Sequence, residues 1–567
     1  MQKRWDKKVK YPKDWAEDLK EYGDLTLQLA YNRGLETKED IEKFLNPDYG
    51  SLGNPLDIKG MDKATNRIIE AVSKKEKIII YGDYDADGVC SSAILADFFR
   101  AAGLENAEIF IPDLFKYGHG LNDDAVKYIF EKRASLVITI DNGISENKEI
   151  KKLEEGGVNV VVLDHHIVPD DLPPAYVIVD LCQKGEKYPF HDFCASGLAF
   201  KTVSAILQKN RFGLVEGWEK WLLDLAALGT IADMVPLLGE NRVLVYWGLE
   251  VLKKTRRVGL KILAEKAGVD LSGINSEDVS FYLAPRINVA GRLDHATLAG
   301  DLILTNSYEE AEWLVRRLEE LTVERKAATE RIAKEVEEMF LRGDCAEIIV
   351  AGNNDWQTGV LGAAASRISK NLSSTVILWG KGDAVSIKGS ARSAGDVNVR
   401  DLLIEAGIEM YLDFGGHPMA AGFTLKKEYA RDFNNKIKKA FASMPKDKNA
   451  YADLILESEL AMSDVSAETS AIISKFEPFG QENPRPNFLF KNLDIFSART
   501  FGNGGTHLEI SFKNSKNEII NAIGFFSARS LPEIKAGDKI DLAGSLDLSK
   551  YKGREELRLK IEDFKII

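Results

Sequence analysis

The chain has 567 residues, 45% of them hydrophobic, and a formal net charge of −13. That length predicts roughly three to four domains with apolar material for several cores, and its acidic balance excludes a general basic coat for binding polyanions. Four cysteines (Cys90, Cys182, Cys194, Cys345) without CxxC spacing exclude a disulfide framework or a zinc ribbon.

The opening MQKRWDKKVKYPKDW lacks the apolar centre of a secretory signal, and no apolar run reaches the roughly 18 residues of a spanning helix. A cytoplasmic protein with no membrane contact is therefore expected. Residues 1–60 read as an N-terminal helical segment packing on a catalytic domain, with Thr37 and Asp40 marking a helix start. Over 61–306, apolar β-like runs alternate with helix-like segments, the rhythm of an α/β domain with a doubly wound parallel sheet. Residues 307–342 contain no Pro or Gly and repeat apolar residues at three- and four-residue steps; they predict a long connecting helix, with Ser307 and Glu310 as its capping box. A second α/β domain is expected over 343–450, from IIVAG, VLGAAASRIS and TVILW, with glycine-rich segments in KGSARSAG (388–395) and FGGHPMAAGF (414–423). Residues 451–567 predict a small C-terminal β-barrel, built from THLEISF, EIINAIGF, KIDLAGSLDL and ELRLKIEDF after the turn-rich FEPFGQENPRP. The charge is uneven: residues 485–567 hold 14 Lys/Arg against 11 Asp/Glu.

Three acidic turns carry the chemistry. IIIYGDYDADG (78–88), LVITIDNG (136–143) and VNVVVLDHH (158–166) each end an apolar run in acid, and Asp233 closes ALGTIAD (227–233). Ligands bind at the carboxyl ends of strands in an open parallel sheet, so Asp83, Asp85, Asp87, Asp141, Asp164, His165, His166 and Asp233 are expected at one rim. So many carboxylates require cations, and a pair of divalent ions is the simplest neutraliser. DYDADG also fits the first half of an EF-hand loop, but Ile94 occupies the position of the closing Glu. A lone Asp-rich turn is often mere solvation; three at strand ends, with a His pair, are not. Oxygen ligands suit Mg²⁺ or Mn²⁺, and an imidazole tilts the preference to Mn²⁺. Two such ions activate a water and neutralise charge during phosphoryl displacement, which is the chemistry of a phosphoesterase.

DYDADG, the Asp141 turn, Asp164-His165-His166, GTIAD, PRINVAGR, GSARS, GGHPMAAG and EPFGQENP, in that order, resemble the DHH phosphoesterase superfamily and, within it, single-strand-specific exonucleases. The resemblance implies a DHH catalytic domain, a DHH-associated second domain and an OB-fold nucleic-acid-binding barrel. It implies that Asp85 and Asp87 are metal ligands with Asp83 a ligand or close to one, that Asp141 bridges two ions, and that His165 and Asp233 complete the second site. Asp164 would orient its neighbours, and His166 would face the scissile phosphate. Arg286, Asn288 and Arg292 would reach the substrate from the first domain, and Ser390, Arg392 and His417 from the second. Phe501, Phe512, Lys513, Lys516, Lys550 and Lys552 are candidate strand contacts on the barrel. Two positions depart from the family pattern: Leu114 stands where an Arg is usual, leaving Lys116 or His119 to serve a 5′ phosphate, and Gln357 stands where His is common.

The implied function is a Mn²⁺- or Mg²⁺-dependent 5′→3′ exonuclease on single-stranded DNA, releasing 5′-mononucleotides in DNA repair and recombination. It would be a monomer, with a single-strand-binding protein and a helicase as partners. RNA is an open alternative substrate. An oligonucleotide or cyclic-dinucleotide phosphodiesterase would not need the barrel, and an inactive DNA-binding scaffold would have lost ligands that are all present here.

Overall fold

The computed structural model describes residues 4–112, 120–340, 347–382, 385–445, 454–502, 504–514, 516–525, 533–549 and 555–567. Leu114, Lys116, His119, Lys550 and Lys552, named above, lie outside them. The chain forms two compact units, one of Lys43–Glu324 with Glu477–Pro484, the other of Met1–Glu42, Arg325–Phe476 and Arg485–Ile567. Among the described residues, no helix is long and apolar enough to cross a membrane.

The first unit is built on five parallel strands. Ile78–Gly82 lies between Ala107–Phe110 and Leu136–Ile140, and Asn159–Leu163 and Val177–Val179 follow outward. Side chains alternate across a strand, and both faces here are apolar. Ile78, Ile80, Ile138 and Ile140 pack into a core with the helices Met61–Lys74, Ala86–Ala101 and Ala195–Lys209. Ile79, Tyr81, Val137 and Val160 face the opposite way, toward Asp123–Glu131 and Asn147–Glu155. The sheet is doubly wound, as expected. In strand order 2-1-3-4-5, the connections change direction between Ile78–Gly82 and Leu136–Ile140, which opens a crevice at their carboxyl ends.

By its contacts, Glu477–Pro484 clusters with this unit. Arg242 donates to the carbonyls of Glu477 and Pro478, Ser276 Oγ to that of Phe479, and the Leu237 N–H to that of Gln481.

In the second unit, a mixed sheet runs Tyr411–His417, Ala420–Lys426, Ser386–Arg392, Thr375–Gly380, Ile348–Gly352, and only the last pair is parallel. The two glycine-rich segments lie largely in strands: GSAR ends Ser386–Arg392, and GGH and AAGF form a hairpin. The barrel pairs Phe488–Asp494 with Lys539–Ser549, then Glu556–Ile566, Ile519–Gly524, His507–Lys513 and Ser497–Phe501. Taking Phe488–Phe501 as one bent strand gives the five-stranded Greek-key arrangement of an OB fold. Residues 1–42 cluster with this second unit and residues 43–60 with the first. The strand Trp5–Lys7 runs parallel to Leu454–Leu456, and the Trp5 indole donates to Asp563 at 2.8 Å.

Thr37 and Asp40 form a complete capping box, each side chain accepting the other's backbone N–H. Ser307 and Glu310 form only half of one. Ser307 Oγ accepts the Glu310 N–H, but the Glu310 carboxylate takes Thr305 Oγ1 instead. The helix after it runs Tyr308–Phe340.

Candidate metal centre

The DYDADG turn leaves its strand and winds directly into the helix Ala86–Ala101. Asp85 is the N-cap, and its Oδ1 accepts the N–H groups of Asp87 at 2.9 Å and Gly88 at 3.1 Å. A Cβ at Gly88 would stand 2.6 Å from the Asp83 carbonyl oxygen, so only glycine lets the turn close this tightly. The Ala86 N–H donates to Asn288 Oδ1 at 2.7 Å.

Asp87 points away from its own helix toward the start of another. Both of its oxygens accept backbone N–H groups in the first turn of Ala195–Lys209, from Ala195 at 2.7 Å and Ser196 at 2.9 Å. Two amide donors and the positive end of a helix hold this buried carboxylate in place.

Asp141 follows the third strand with φ +65°, an uncommon conformation that directs its side chain back over the sheet end. Its N–H donates to the Leu163 carbonyl, and its Oδ1 lies 3.0 Å from His165 Nε2. Asp164 is fully buried and organises the loop: it accepts the N–H groups of Ile144, His165 and His166, and binds His166 Nδ1 at 2.7 Å. Asp233 comes from a different kind of element: ALGTIAD ends the helix Leu223–Ala232, with Asp233 as its C-cap. Its Oδ2 lies 3.9 Å from His165 Nδ1.

Ligand atoms within 4.8 Å of one another form three sets: Asp83, Asp85 and Asp141; Asp87, His165 and Asp233; and Asp141, His165 and His166. The sets overlap at Asp141 and His165. Burial and mutual repulsion dominate their electrostatics. Asp83 and Asp141 are pushed well above the ordinary carboxyl range, first by burial and then by neighbouring aspartates. Asp85 is raised by burial and Asp87, although backbone N–H groups and Arg292 oppose this. Asp233 reaches about 8 for the same reasons, burial first and then Asp87 and Asp85. Burial lowers His165. Burial alone would raise Asp164, but the hydrogen bond and charge of His166 outweigh it and hold it low. The same bond lifts His166 to about 9. The protein thus assembles carboxylates that it does not itself neutralise. A hard, oxygen-rich donor set with one imidazole fits Mg²⁺ or Mn²⁺.

The remaining candidates separate. Arg292 is close enough to lower Asp85, and Gly291 before it permits the approach of the Tyr84 carbonyl, which would stand 2.5 Å from a Cβ. Arg286 is engaged with Glu319 and the Tyr282 carbonyl. Asn288 is committed through Oδ1 to the Ala86 N–H. In the other unit, Arg392 binds Ser366 Oγ at 2.9 Å and Ser390 Oγ at 2.8 Å, beside Gly362, where a Cβ would meet its guanidinium at 2.8 Å. His417 is exposed at the end of the edge strand, and Gln357 is exposed as the N-cap of Thr358–Leu372. Sequence reasoning missed the Ala195 and Ser196 amides, whose signal is a run of small residues opening a helix. It also missed Asp180, which ends the fifth strand in VIVD. Burial lifts Asp180 to about 7, and its Oδ2 has no hydrogen-bond partner.

A doubly wound sheet with this donor set at its switch point defines a DHH-type protein, and the family comparisons agree. Residues 77–230 match the DHH family N-terminal domain, 346–443 the DHHA1 domain and 456–563 the RecJ OB domain. The chain is 34% identical to a Bacillus subtilis single-stranded-DNA-specific exonuclease RecJ, over 95% of this chain and 67% of that one. It is 32% identical to the Haemophilus influenzae RecJ, over 94% of each. The crystal structure of Thermus thermophilus RecJ in complex with Mn²⁺ superposes with a TM-score of 0.83 at 29% identity, covering 99% of this chain and 79% of that one. The chain belongs to the RecJ family.

Proposed function

We propose that the chain is a divalent-metal-dependent exonuclease that hydrolyses single-stranded DNA from its 5′ end to 5′-mononucleotides, in DNA repair and recombination. The observation that carries this is the convergence of Asp83, Asp85, Asp87, Asp141, His165 and Asp233 on one rim. Two bound Mn²⁺ or Mg²⁺ ions would neutralise that rim, polarise the phosphate and lower the pKa of a water. Asp83, Asp85 and Asp141 would hold one ion, and Asp87, His165 and Asp233 the other. Asp141 stands in two of the donor sets and so suits a bridging role. Asp164 fixes the loop and keeps His166 protonated, so that His166 presents a charged donor to the phosphate or the departing oxygen. Arg292 adds positive charge beside Asp85. In the other unit, Ser390, Arg392 and His417 offer phosphate donors, as the family relation implies.

The barrel supplies the grip on the polymer. Phe501 and Phe525 flank His507 at ring separations of 5.1 and 5.6 Å, and Arg558 lies over Phe525. Paired positions share a face, and that of Phe501 and His507 is the outer one, since Leu508, Ile510 and Phe512 point into the core. Phe512 is therefore core rather than a strand contact, whereas Lys513 covers the half-exposed ring of Phe496. An aromatic and basic face of this kind stacks bases without reading sequence. The protein would act as a monomer in the cytoplasm, with a single-strand-binding protein and a helicase as its partners.

The test is product release with Mn²⁺ from single-stranded DNA labelled at either end, alongside duplex and RNA, for wild type and Asp141→Asn. Mononucleotides released in order from the 5′ end, from single strands only and not by the variant, are expected. Cleavage of RNA with long DNA untouched would overturn the substrate assignment.

A further inference from the structure

Two exposed apolar residues directly follow members of the donor cluster in the chain, and the reaction described above uses neither. Ile167 follows His166 and is 83% exposed, and Met234 follows Asp233 and is 67% exposed. The residues they follow share one small region, because Asp233 Oδ2 lies 3.9 Å from His165 Nδ1 and the two histidine rings are 4.6 Å apart.

Single exposed apolar residues are ordinary and need no function. The backbone sets Met234 apart. It is the first residue beyond the C-cap of Leu223–Ala232, and its φ is +60°. Helices that end this way usually place glycine at this position, or sometimes asparagine, because a Cβ is unfavourable there. A bulky residue in this conformation is an outlier, and such outliers cluster at active sites. The chain therefore carries a large apolar side chain where glycine would be cheaper, beside a carboxylate of the donor cluster, and leaves it in water. Ile167, branched at Cβ and still more exposed, occupies the matching place after the histidine pair.

We propose that Ile167 and Met234 are specificity residues that contact the base of the nucleotide whose phosphate occupies the donor cluster. The proposal rests on the exonuclease reading and adds to it a grip on the terminal base. A phosphate at a carboxylate-and-imidazole rim leaves its base to be received by something apolar, and among the described residues Ile167 and Met234 are exposed apolar residues adjoining His166 and Asp233 in the chain. Neither carries a hydrogen-bonding group, so the contact favours a base over no base without preferring one base to another. The thioether of Met234 adapts to either ring size and makes favourable contacts with aromatic edges.

The experiment measures KM and kcat with Mn²⁺ on two strands that differ only in whether the 5′-terminal nucleotide has its base or is abasic. The variants are Ile167→Ser and Met234→Asn, with Ile167→Val and Met234→Leu as conservative partners. Asparagine tolerates positive φ, so Met234→Asn keeps the turn while removing the apolar contact. The contact range for one stacked base corresponds to about a tenfold effect. Wild type is expected to show about that rise in KM on the abasic strand. Ile167→Ser and Met234→Asn are expected to raise KM several-fold on the intact strand yet leave the abasic strand within about twofold, because the contact is already missing there. The conservative variants should stay near wild type. Equal losses on both strands, a change in kcat alone, or no change in either variant would overturn the proposal. A wild-type protein that leaves intact single strands undegraded would overturn the exonuclease reading, and this proposal with it.

Discussion

The helix Leu223–Ala232 has an aspartate at each end, and the two are built on opposite rules. Asp224, in the first turn, is buried and fully served: Thr255 Oγ1 donates to it at 2.9 Å and Arg257 Nε at 3.0 Å, while Arg257 also reaches Asp97 at 2.5 Å. It sits where the helix dipole favours a negative charge. Asp233 caps the other end, where the dipole disfavours a carboxylate, and its neighbours include further acids, Asp87 and Asp85. Where this protein buries acid for stability it supplies arginine. At the rim it supplies chiefly more carboxylate, which is sensible only if the counter-charge comes from bound cations.

Removing one carboxylate of each kind separates the two rules. The largest effect expected is on catalysis: Asp141→Asn, at the rim, keeps the positive φ and the shape of the side chain but removes its charge, and turnover should fall by roughly 10²–10³-fold or more, the scale for losing a preorganised electrostatic element. Stability should move in contrary directions for the two kinds. Asp224→Ala strands part of the Arg257 charge and should cost about 3–5 kcal/mol in denaturant unfolding. Asp141→Asn in metal-free protein removes a repelled, buried charge and should be neutral or stabilising by about 1–2 kcal/mol.

The pH dependence sharpens the same contrast. Asp83, Asp85, Asp141 and Asp233 all have carboxyls raised in the folded state, Asp233 to about 8. A folded state that holds protons more tightly than the unfolded chain loses stability as pH rises. For Asp233 that loss runs from its unfolded value near 4 up through about 8. His166, raised to about 9 by Asp164, acts in the same sense from about 6.5 upward. The lowered His165 opposes them, its contribution being lost as pH falls below the ordinary imidazole range. Metal-free protein should therefore become easier to unfold between pH 5 and 9, read as a falling urea midpoint, and Mn²⁺ at the upper end should restore it. A midpoint that rises across that range would contradict the repulsion.

Effects on the barrel should be smaller and confined to binding. Phe501→Ala or Phe525→Ala should weaken binding of single-stranded DNA by about 1–3 kcal/mol in a titration, with Mn²⁺ affinity unchanged. In Gly291→Ala the new Cβ would meet the Tyr84 carbonyl at 2.5 Å, so the acidic turn must move. It should lower kcat a few-fold and cost about 1–3 kcal/mol of stability, read as a lower thermal midpoint.

The rim was legible because its signal is local: an apolar run, then acid, at three strand ends. Asp233 was legible as a residue but not in its setting, since a short apolar run such as ALGTIA suits a buried helix as well as a strand. The strand setting of the glycine-rich segments was not legible, because glycine carries no side-chain pattern and pairing with neighbouring strands fixes their conformation. Whether Phe512 or Phe501 faces out depends on strand register, which long-range pairing fixes and local pattern does not. The partnership of Trp5–Lys7 with Leu454–Leu456 spans nearly the whole chain, and nothing local announces it. The Ala195 and Ser196 amides were missed because backbone donors have no letter of their own, and the run of small residues opening their helix is only an indirect sign.

The most direct test of the central claim is calorimetric titration of Mn²⁺ into metal-free wild type and Asp141→Asn, with no nucleic acid present. Uncompensated carboxylates at the rim predict two ions per wild-type chain, and a loss of stoichiometry or a large fall in affinity in the variant. Equal binding by both proteins, or none by wild type, would contradict it.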